Sequence, residues 1–399
     1  MTHRRHQRAS VSICATKDTH MGFSTKAIHA AIEPDPTTGS IMTPIHLTST
    51  YVQEELGKNK GYEYARVSNP TRTVLERQIA ALEGGKEGLA FGSGMAAITT
   101  LFATLKSGDH VILSRNVYGG TYRLGKLVLS NFGIDCQFVD TTDLDNIRKA
   151  IKPKTAMVFV ETPTNPTMEI TDLSGVAKIC KQKKLLSVVD NTFATPYLQN
   201  PLSLGIDLVL HSATKYLNGH SDMLGGLIVA NDPKVIEQLR FLQKSLGGIM
   251  SPFEAWMCLR GIKTLSVRMD RHNRNAIQVA SFLSKNTKVK KVNFPGLVSH
   301  PQHRLAKKQM KEFGGMISFD LGSLDKAKAF LKRVKLCALA ESLGGVETLI
   351  SHPATMTHAS IPREERNRIG VTDGLVRISV GIEDVEDILD DLRNALRGI

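Results

Sequence analysis

The sequence predicts an α/β protein in which a large domain with a mainly parallel central sheet precedes a smaller α+β domain. Short apolar runs, separated by polar segments of helical length, recur from about residue 72 onwards. Nearly continuous apolar strands that alternate with helices are typical of a parallel sheet covered on both faces. The later strand-like runs alternate more in polarity and lie among helices, which favours a smaller second domain. A chain of 399 residues is long enough for both.

The apolar pattern predicts individual elements along the chain. Leu75, Ile79 and Leu82, spaced at i, i+4 and i+7, indicate an amphipathic helix that ends at Gly84 and Gly85. Six apolar runs are strand candidates of the large domain: "LAF" (89–91), "HVILS" (110–114), "AMVFVE" (156–161), "LLSVVD" (185–190), "IDLVLH" (206–211) and "GGLIVA" (225–230). Three runs are strand candidates of the smaller domain: "GGMISFDL" (314–321), "VKLCAL" (334–339) and "LVRISV" (375–380). A last helix has its apolar residues on one face, at Val385, Ile388, Leu389, Leu392 and Leu396.

The start of the chain is basic and lacks the apolar stretch of a secretory signal. We expect a disordered tail, although three arginines and two serines before the first acid, Asp18, also fit a transit peptide, and Met21 is an alternative start. The chain is thus expected to divide into four parts: the basic tail (1–22), an N-terminal arm (23–70), the large domain (71–255) and the smaller domain (256–399).

Composition and cysteine spacing exclude several classes of protein. The chain is 41% hydrophobic and 22% charged, as globular proteins are, and no run of about 18 apolar residues predicts a membrane span. Its five cysteines are scattered without C-x-x-C spacing, which argues against a disulfide framework and a zinc site and favours a reducing compartment, the cytoplasm.

The net charge of +13 raises the question of nucleic acid. Three basic clusters, at 181–184, 288–291 and 307–311, are far apart and lack the interleaved aromatic residues that stack on bases. We interpret them as solvated helix faces, so nucleic-acid binding is not expected.

The segment "GSGMAA" (92–97) follows the first strand candidate and opens a helical stretch. Glycines let the backbone approach an anion, and a helix N-terminus offers free N–H groups, so the segment predicts a phosphate cradle. Gly92, Gly94 and Ala97 also match the dinucleotide fingerprint G-x-G-x-x-A. An NADP-dependent oxidoreductase therefore stays as an alternative, in which Arg115 after the next strand contacts the 2′-phosphate. A third alternative is a basic binding protein without catalytic activity.

Polar residues follow other predicted strands at the sheet edge where α/β proteins bind ligands. Asp190 follows the fourth run, and Ser212, Thr214 and Lys215 follow the fifth, while Tyr118 lies on a glycine-rich turn. Taken singly, these residues fit a turn acid, surface hydroxyls, a surface lysine and a half-buried tyrosine. Together they describe a pocket for pyridoxal phosphate, which needs an amine, an acid for its ring nitrogen, a stacking ring and an anion cradle.

Six segments resemble, in order, the motifs of the Cys/Met-metabolism family of pyridoxal-phosphate (PLP) enzymes, the trans-sulfuration enzymes: "YARVSNPTR", "FGSGMAAI", "VYGGTYR", "VETPTNPT", "VVDNTFATPYLQNPLSLGID" and "SATKYLNGHSD". The resemblance runs from about Phe23 to the C-terminus. It implies the PLP-dependent transferase fold, fold type I, as in aspartate aminotransferase.

The resemblance also implies roles for the residues of the cofactor site. Lys215 matches the lysine that binds PLP covalently as a Schiff base and transfers protons, with Tyr118 as the stacked ring and second proton carrier. Asp190 matches the partner of the pyridine nitrogen. The other implied cofactor contacts are to the phosphate: Gly94, Met95, Ser212, Thr214 and, from a neighbouring subunit, Tyr64 and Arg66. The arm 23–70 is therefore expected to contact that subunit in a homotetramer, a dimer of dimers with shared active sites. No metal is implied.

The substrate contacts implied by the resemblance are Arg377 at the α-carboxylate, with Ser342 and Arg123 near by, and Glu63 and Glu341 at the distal ammonium of cystathionine. Asn165 is expected at the same carboxylate or at the phenolic oxygen of the cofactor. Glycine at position 120 argues against a methionine γ-lyase, where cysteine is typical. The first expectation is cystathionine γ-lyase activity, which gives cysteine, 2-oxobutyrate and ammonia. γ-Synthase activity, from an O-acylhomoserine and cysteine, ranks nearly equal, and β-lyase activity ranks third.

Overall fold

A computed structural model describes residues 21–359 and 361–399. The predicted disordered tail, up to residue 20, lies outside the described residues. No helix in the described ranges is long and apolar enough to cross a membrane.

Seven strands form the large sheet, in the order β1-β7-β6-β5-β4-β2-β3. Their bounds are β1 Glu87–Phe91, β2 His110–Ser114, β3 Asp135–Val139, β4 Thr155–Glu161, β5 Leu186–Asp190, β6 Leu208–Ser212 and β7 Gly226–Ala230. The strands from β6 to β3 are parallel to their neighbours, and β7 is antiparallel to both β6 and β1. The predicted mainly parallel sheet is thus confirmed.

Five strands form a smaller sheet, in the order β10-β11-β12-β9-β8. Their bounds are β8 Lys291–Asn293, β9 Met316–Asp320, β10 Ala338–Leu339, β11 Leu349–Ser351 and β12 Leu375–Ser379. Only β10 and β11 pair in parallel. The two sheets occupy the predicted parts of the chain, while the domain boundary at residue 255 stays a prediction.

Fourteen α-helices lie in the described ranges. Their bounds are α1 Phe23–His29, α2 Pro70–Glu83, α3 Gly94–Phe102, α4 Gly119–Arg123, α5 Leu144–Ala150, α6 Leu173–Lys183, α7 Thr195–Leu198, α8 Pro233–Leu246, α9 Pro252–Ile262, α10 Leu265–Ser284, α11 His303–Gln309, α12 Leu324–Leu331, α13 Arg363–Arg368 and α14 Val385–Arg397. The predicted first amphipathic helix is α2, which ends at Gly84 in the left-handed conformation. The predicted last helix is α14, whose apolar face is buried.

Helices cover both faces of the large sheet. Leu227 and Val229 of β7 pack in one apolar cluster with Leu75 of α2. Ile228, between them, points to the opposite face and packs with Leu101 of α3. This alternation explains why the strand sequence is apolar throughout, since both faces of the strand are buried.

Three strands were not predicted, and one prediction was too long. β3 has polar residues at both Asp135 and Gln137, and β8 and β11 have only three residues each, so their apolar signal is weak. The run "VKLCAL" forms a strand only at Ala338–Leu339, because Leu336 is exposed and the amides of 335–337 bind the Asp391 carboxylate instead of a neighbouring strand.

A buried arginine holds the turn that follows β6 and carries Lys215. Arg268 is 3% exposed and donates hydrogen bonds to the carbonyl oxygens of Tyr216 at 2.7 Å, Leu217 at 3.3 Å and Gly261 at 2.8 Å. Burial lowers the pKa of Arg268 to about 10. Through its three hydrogen bonds, the guanidinium satisfies carbonyl groups that would otherwise be buried without a partner.

A comparison of two glycine substitutions tests how closely Arg268 and this turn fit. Gly219 and Gly247 share a left-handed backbone, with φ of 77° and 78°. A Cβ at Gly219 would lie 2.0 Å from Arg268 Nη1, whereas a Cβ at Gly247 would have no atom within 4 Å. We expect Gly247→Ala to lower the free energy of unfolding by about 1–2 kcal/mol, through backbone strain alone. Gly219→Ala should lower it by at least about 2 kcal/mol more, because the guanidinium must also move. Denaturant unfolding of both variants measures the difference, and equal losses would contradict the close fit.

Candidate active site

One pocket opens where the carboxyl ends of β4, β5 and β6 meet the N-terminus of α3, and loops that flank β10–β12 close it from the smaller sheet. Most of the predicted site residues line it, namely Gly94, Met95, Tyr118, Asn165, Asp190, Ser212, Thr214, Lys215, Glu341, Ser342 and Arg377. The lining also includes four polar residues that were not singled out from the sequence: Ser93, Glu161, Thr192 and Thr357.

The N-terminus of α3 forms one wall of the pocket. The Ser93 side chain caps the helix by accepting a hydrogen bond from the Ala96 amide at 3.0 Å. The amides of Gly94 and Met95 belong to the first turn, where a helix supplies no internal acceptor. A Cβ at Gly94 would lie 3.2 Å from Ser212 Oγ, a tight contact, so glycine lets the start of the helix approach this hydroxyl closely. The wall therefore offers amides, a hydroxyl and a positive dipole end to an anion.

Two carboxylates lie side by side at the strand ends. Glu161 and Asp190 are the last residues of β4 and β5, directly opposite in register, and are 5% and 7% exposed. Asp190 Oδ1 accepts hydrogen bonds from the Thr192 amide at 3.0 Å and the Thr192 hydroxyl at 2.5 Å. Burial raises the pKa of both acids, and the charge of Asp190 raises the pKa of Glu161 further. Two buried carboxylates side by side favour the binding of a cationic group, or of a ligand with which they share a proton.

The Lys215 amine reaches into the pocket from the turn after β6. Lys215 Nζ donates a hydrogen bond to Ser342 Oγ at 2.8 Å. Burial, and secondly the nearby Arg377 guanidinium, lowers the pKa of Lys215 to about 8, while Glu341 acts in the opposite direction. A substantial fraction of this amine is therefore neutral near physiological pH, as a nucleophile or base requires.

The Arg377 guanidinium, on β12, is the second cationic group that lines the pocket. It is 2% exposed and donates to Asn165 Oδ1 at 3.0 Å and to the Ser342 carbonyl oxygen at 2.8 Å. Its Nε has no partner among the described residues. A buried guanidinium held by neutral acceptors has charge available for a carboxylate ligand.

Tyr118 lies at the rim, immediately before α4. Its side chain is 40% exposed, and its amide donates to Glu161 Oε2 at 2.7 Å. A Cβ at Gly120 would lie 2.5 Å from the tyrosine ring and 2.7 Å from Met95 Sδ. Glycine at position 120 therefore allows the ring to lie against its own turn.

Four predicted site residues lie outside this pocket. Glu63, Tyr64 and Arg66 are exposed, and Arg66 donates to the Lys244 carbonyl oxygen at 2.7 Å. Arg123 is exposed on α4. Part of the predicted arm packs on its own chain, since Ala27 of α1 is buried and its carbonyl oxygen accepts from Gln78 at 2.9 Å.

The alternative based on a dinucleotide fingerprint finds no support in the geometry. Arg115 was the residue assigned to an NADP 2′-phosphate. Its guanidinium instead pairs with Asp140 at 2.8 Å and Glu169 at 2.7 Å. Two carboxylates occupy its donors, so Arg115 is not free to bind a phosphate.

The residues of the pocket fit pyridoxal phosphate. The first-turn amides of Gly94 and Met95 beside the Ser212 hydroxyl suit a phosphate, the buried acids suit a protonated ring nitrogen, and the Lys215 amine suits a carbonyl carbon. In the described part of the chain, no cluster of three or more side chains could hold a metal ion.

Comparisons with known proteins agree with this fit. A sequence model of the family described as Cys/Met metabolism PLP-dependent enzyme matches residues 24–397. Cystathionine beta-lyase of Coxiella burnetii is 54% identical over 377 residues, which cover 94% of this chain and 97% of that protein. Cystathionine gamma-lyase of Bacillus subtilis is 53% identical over 379 residues, which cover 95% and 100%.

The crystal structure of cystathionine gamma-lyase from Lactobacillus plantarum, complexed with L-serine, superposes with a TM-score of 0.92 at 46% identity and covers 95% of this chain and 99% of that chain. The predicted fold type I architecture is thus confirmed. Because the family match spans nearly the whole sequence and relatives share about half of its residues, this chain belongs to the Cys/Met metabolism family of PLP-dependent enzymes.

Proposed function

We propose that this protein is a trans-sulfuration enzyme that acts on cystathionine, with γ-lyase as its main activity. The observation that carries the proposal is the Lys215 amine, 2.8 Å from Ser342 Oγ, in one pocket with Asp190 and Arg377. The similar proteins from Coxiella burnetii and Bacillus subtilis are named as a cystathionine beta-lyase and a gamma-lyase, which supports the substrate and leaves the bond that is cleaved open.

In this proposal, pyridoxal phosphate bound to Lys215 supplies an electron sink for carbanion chemistry. The amides of Gly94 and Met95 hold the phosphate together with Ser212. The Thr214 hydroxyl stands beside them and accepts a hydrogen bond from the Gly225 amide at 3.0 Å. The Asp190 carboxylate keeps the ring nitrogen protonated, and the Tyr118 ring covers the face of the cofactor.

Arg377 binds the α-carboxylate of the substrate in this arrangement. Asn165 holds one guanidinium nitrogen and the Ser342 carbonyl oxygen holds another, so the side chain is oriented before the substrate arrives. Once the substrate amine has displaced it, the Lys215 amine in its neutral form would remove the proton at Cα, and Lys215 or Tyr118 would transfer the second proton that γ-chemistry needs. The exposed Glu341 carboxylate lies at the pocket, where it attracts the distal ammonium group.

A neighbouring subunit completes the site in this proposal. Tyr64 and Arg66 are exposed and lie outside the pocket of their own chain, as residues that serve another subunit would. The segment before them exposes large apolar side chains, Val52 and Leu56 among them. These features support a homotetramer with shared active sites, in which Glu63 also reaches the partner's substrate. Arg123 near the substrate and a cytoplasmic location stay predictions.

Product analysis with cystathionine tests the proposed activity. We expect cysteine and 2-oxobutyrate from the purified, PLP-loaded enzyme. Homocysteine and pyruvate would move the assignment to β-lyase, and activity only with an O-acylhomoserine and cysteine would move it to γ-synthase.

Lys215→Ala should lower turnover by more than about a hundredfold because the base is lost. Full turnover in that variant would contradict the role of Lys215.

The amine of Lys215 should become reactive at a lower pH than an ordinary lysine does. Because burial and Arg377 favour its neutral form, its acylation rate in the cofactor-free protein should rise with pH through a midpoint of about 8. Arg377→Gln removes the positive charge, so the pKa of Lys215 and this midpoint should move upwards. Competitive labelling with acetic anhydride across pH 6–10, with exposed lysines as the internal reference, measures the midpoint in the parent protein and in the variant. An ordinary lysine has a midpoint of roughly pH 10. An unchanged midpoint in the variant would show that Arg377 does not lower the pKa of Lys215.

Two substitutions of Ser342 separate its backbone from its hydroxyl. Ser342 has a φ of 85°, a left-handed conformation that favours glycine. Ser342→Gly and Ser342→Ala both remove the acceptor of Lys215, so turnover should fall by about tenfold in each. Glycine also relieves the strain, so Ser342→Gly should exceed Ser342→Ala in free energy of unfolding by about 1 kcal/mol or more. Steady-state kinetics and denaturant unfolding measure the two effects. Equal stability of the variants would show that the backbone is not strained.

A further inference from the structure

One buried carboxylate joins the two loops that carry Tyr118 and Asn165. Glu161 Oε2 accepts the Tyr118 amide at 2.7 Å, and Oε1 accepts the Asn165 amide at 3.1 Å. Glu161 is 5% exposed and lines the pocket. Each oxygen of one side chain is thus bound to a different loop.

These contacts continue through the pocket as a chain of hydrogen bonds. Asn165 Oδ1 accepts from Arg377 Nη1 at 3.0 Å, and Arg377 Nη2 donates to the Ser342 carbonyl oxygen at 2.8 Å. The Ser342 hydroxyl accepts from Lys215 Nζ at 2.8 Å. Glu161 is therefore connected, through Asn165, to the guanidinium proposed to bind the substrate carboxylate.

We propose that Glu161 is a positioning residue: it sets the placement of Asn165, and thereby the orientation of Arg377, relative to Tyr118. This inference rests on the roles proposed above for Arg377 and Tyr118. The side chain must offer two acceptors at once, which a carboxylate does and a carboxamide does not. In Glu161→Gln the amide nitrogen would face one of the two backbone N–H groups, and the contact that remains is the shorter one, to Tyr118. The Asn165 loop loses its hold, so binding of an α-carboxylate weakens.

A second carboxylate provides a matched control. Glu169 joins the same two regions farther from the pocket, where it accepts from Asn116 Nδ2 at 2.9 Å and Arg115 Nη2 at 2.7 Å. It also accepts two hydrogen bonds, but it does not line the pocket. If Glu161 only stabilised the two loops, Glu161→Gln and Glu169→Gln would affect unfolding and substrate binding in the same way.

The test measures glycine binding to the PLP-loaded enzymes. Glycine has the α-amine and α-carboxylate but no leaving group, so its dissociation constant, read from the change in visible absorption, reports binding without turnover. We expect Glu161→Gln to raise this constant at least tenfold and to raise KM for cystathionine more than it lowers kcat. Glu169→Gln should leave the glycine constant within about threefold of the parent, whatever its effect on unfolding. A Glu161→Gln enzyme that binds glycine like the parent would overturn the inference.

A double-mutant cycle that combines Glu161→Gln with Asn165→Ala tests whether Glu161 acts through Asn165. If Glu161 acts through Asn165, the double variant should bind glycine little more weakly than Asn165→Ala alone, and multiplicative effects would overturn this route. Glu161→Asp replaces Glu161→Gln if the latter does not fold. It keeps the charge but draws both oxygens back by one methylene, so the same tenfold loss is expected. A parent enzyme that binds glycine but gives no product from cystathionine would overturn the proposed function and leave the positioning role standing.

Discussion

The arrangement of this protein depends on holding an amine, its pKa lowered to about 8, in one pocket with a guanidinium. Lys215 follows a strand of the large sheet and Arg377 lies on a strand of the smaller one, and the Arg377 charge lowers the pKa of Lys215. Burial alone would destabilise both cations. Ser342 links them, because its hydroxyl accepts from Lys215 and its carbonyl oxygen accepts from Arg377. The smaller sheet is thus needed not only for packing but also to bring β12 and the Ser342 loop to the lysine.

The rigidity of this arrangement has identifiable sources outside the pocket. Arg268 holds the turn after Lys215 by its carbonyl groups, and Gly219 leaves room for that guanidinium. On the other side, the Gly344 amide donates to Ser379 Oγ at 2.8 Å, and Gly344 lies against Tyr216. The left-handed backbone at Ser342 is held by its own hydrogen bonds with Lys215 and Arg377 and by the Gly344 contact two residues further on, which is how local strain persists in a folded chain.

The sequence predicted the elements whose signal is local and missed those that depend on tertiary contacts. Continuous apolar runs such as 156–161 correctly indicated strands buried on both faces, and the residue after each run indicated the pocket edge. β3 was missed because the polar Asp135 and Gln137 interrupt its apolar residues, and the start of "VKLCAL" was misjudged because Asp391 binds the amides of 335–337. Glu161 ends a predicted strand as Asp190 does, so the strand-end rule could have found it. Nothing local distinguishes Thr357, which reaches the pocket from a loop near the end of the chain.

Charge is segregated within the pocket although the whole chain is strongly basic. Glu161 and Asp190 form an acidic end at β4 and β5, and Lys215 and Arg377 form a cationic end toward the smaller sheet, to which the exposed Glu341 adds a carboxylate. A cofactor with a basic ring nitrogen and a substrate with a carboxylate each match one end, so the field favours a single orientation of both. Glu161 is the member of the acidic end that also contacts the Asn165 loop, and Asn165 belongs to the cationic end. A substitution at Glu161 therefore acts on both ends of the pocket at once, which distinguishes it from a substitution at Asp190, whose side-chain hydrogen bonds go to Thr192 alone among the described residues.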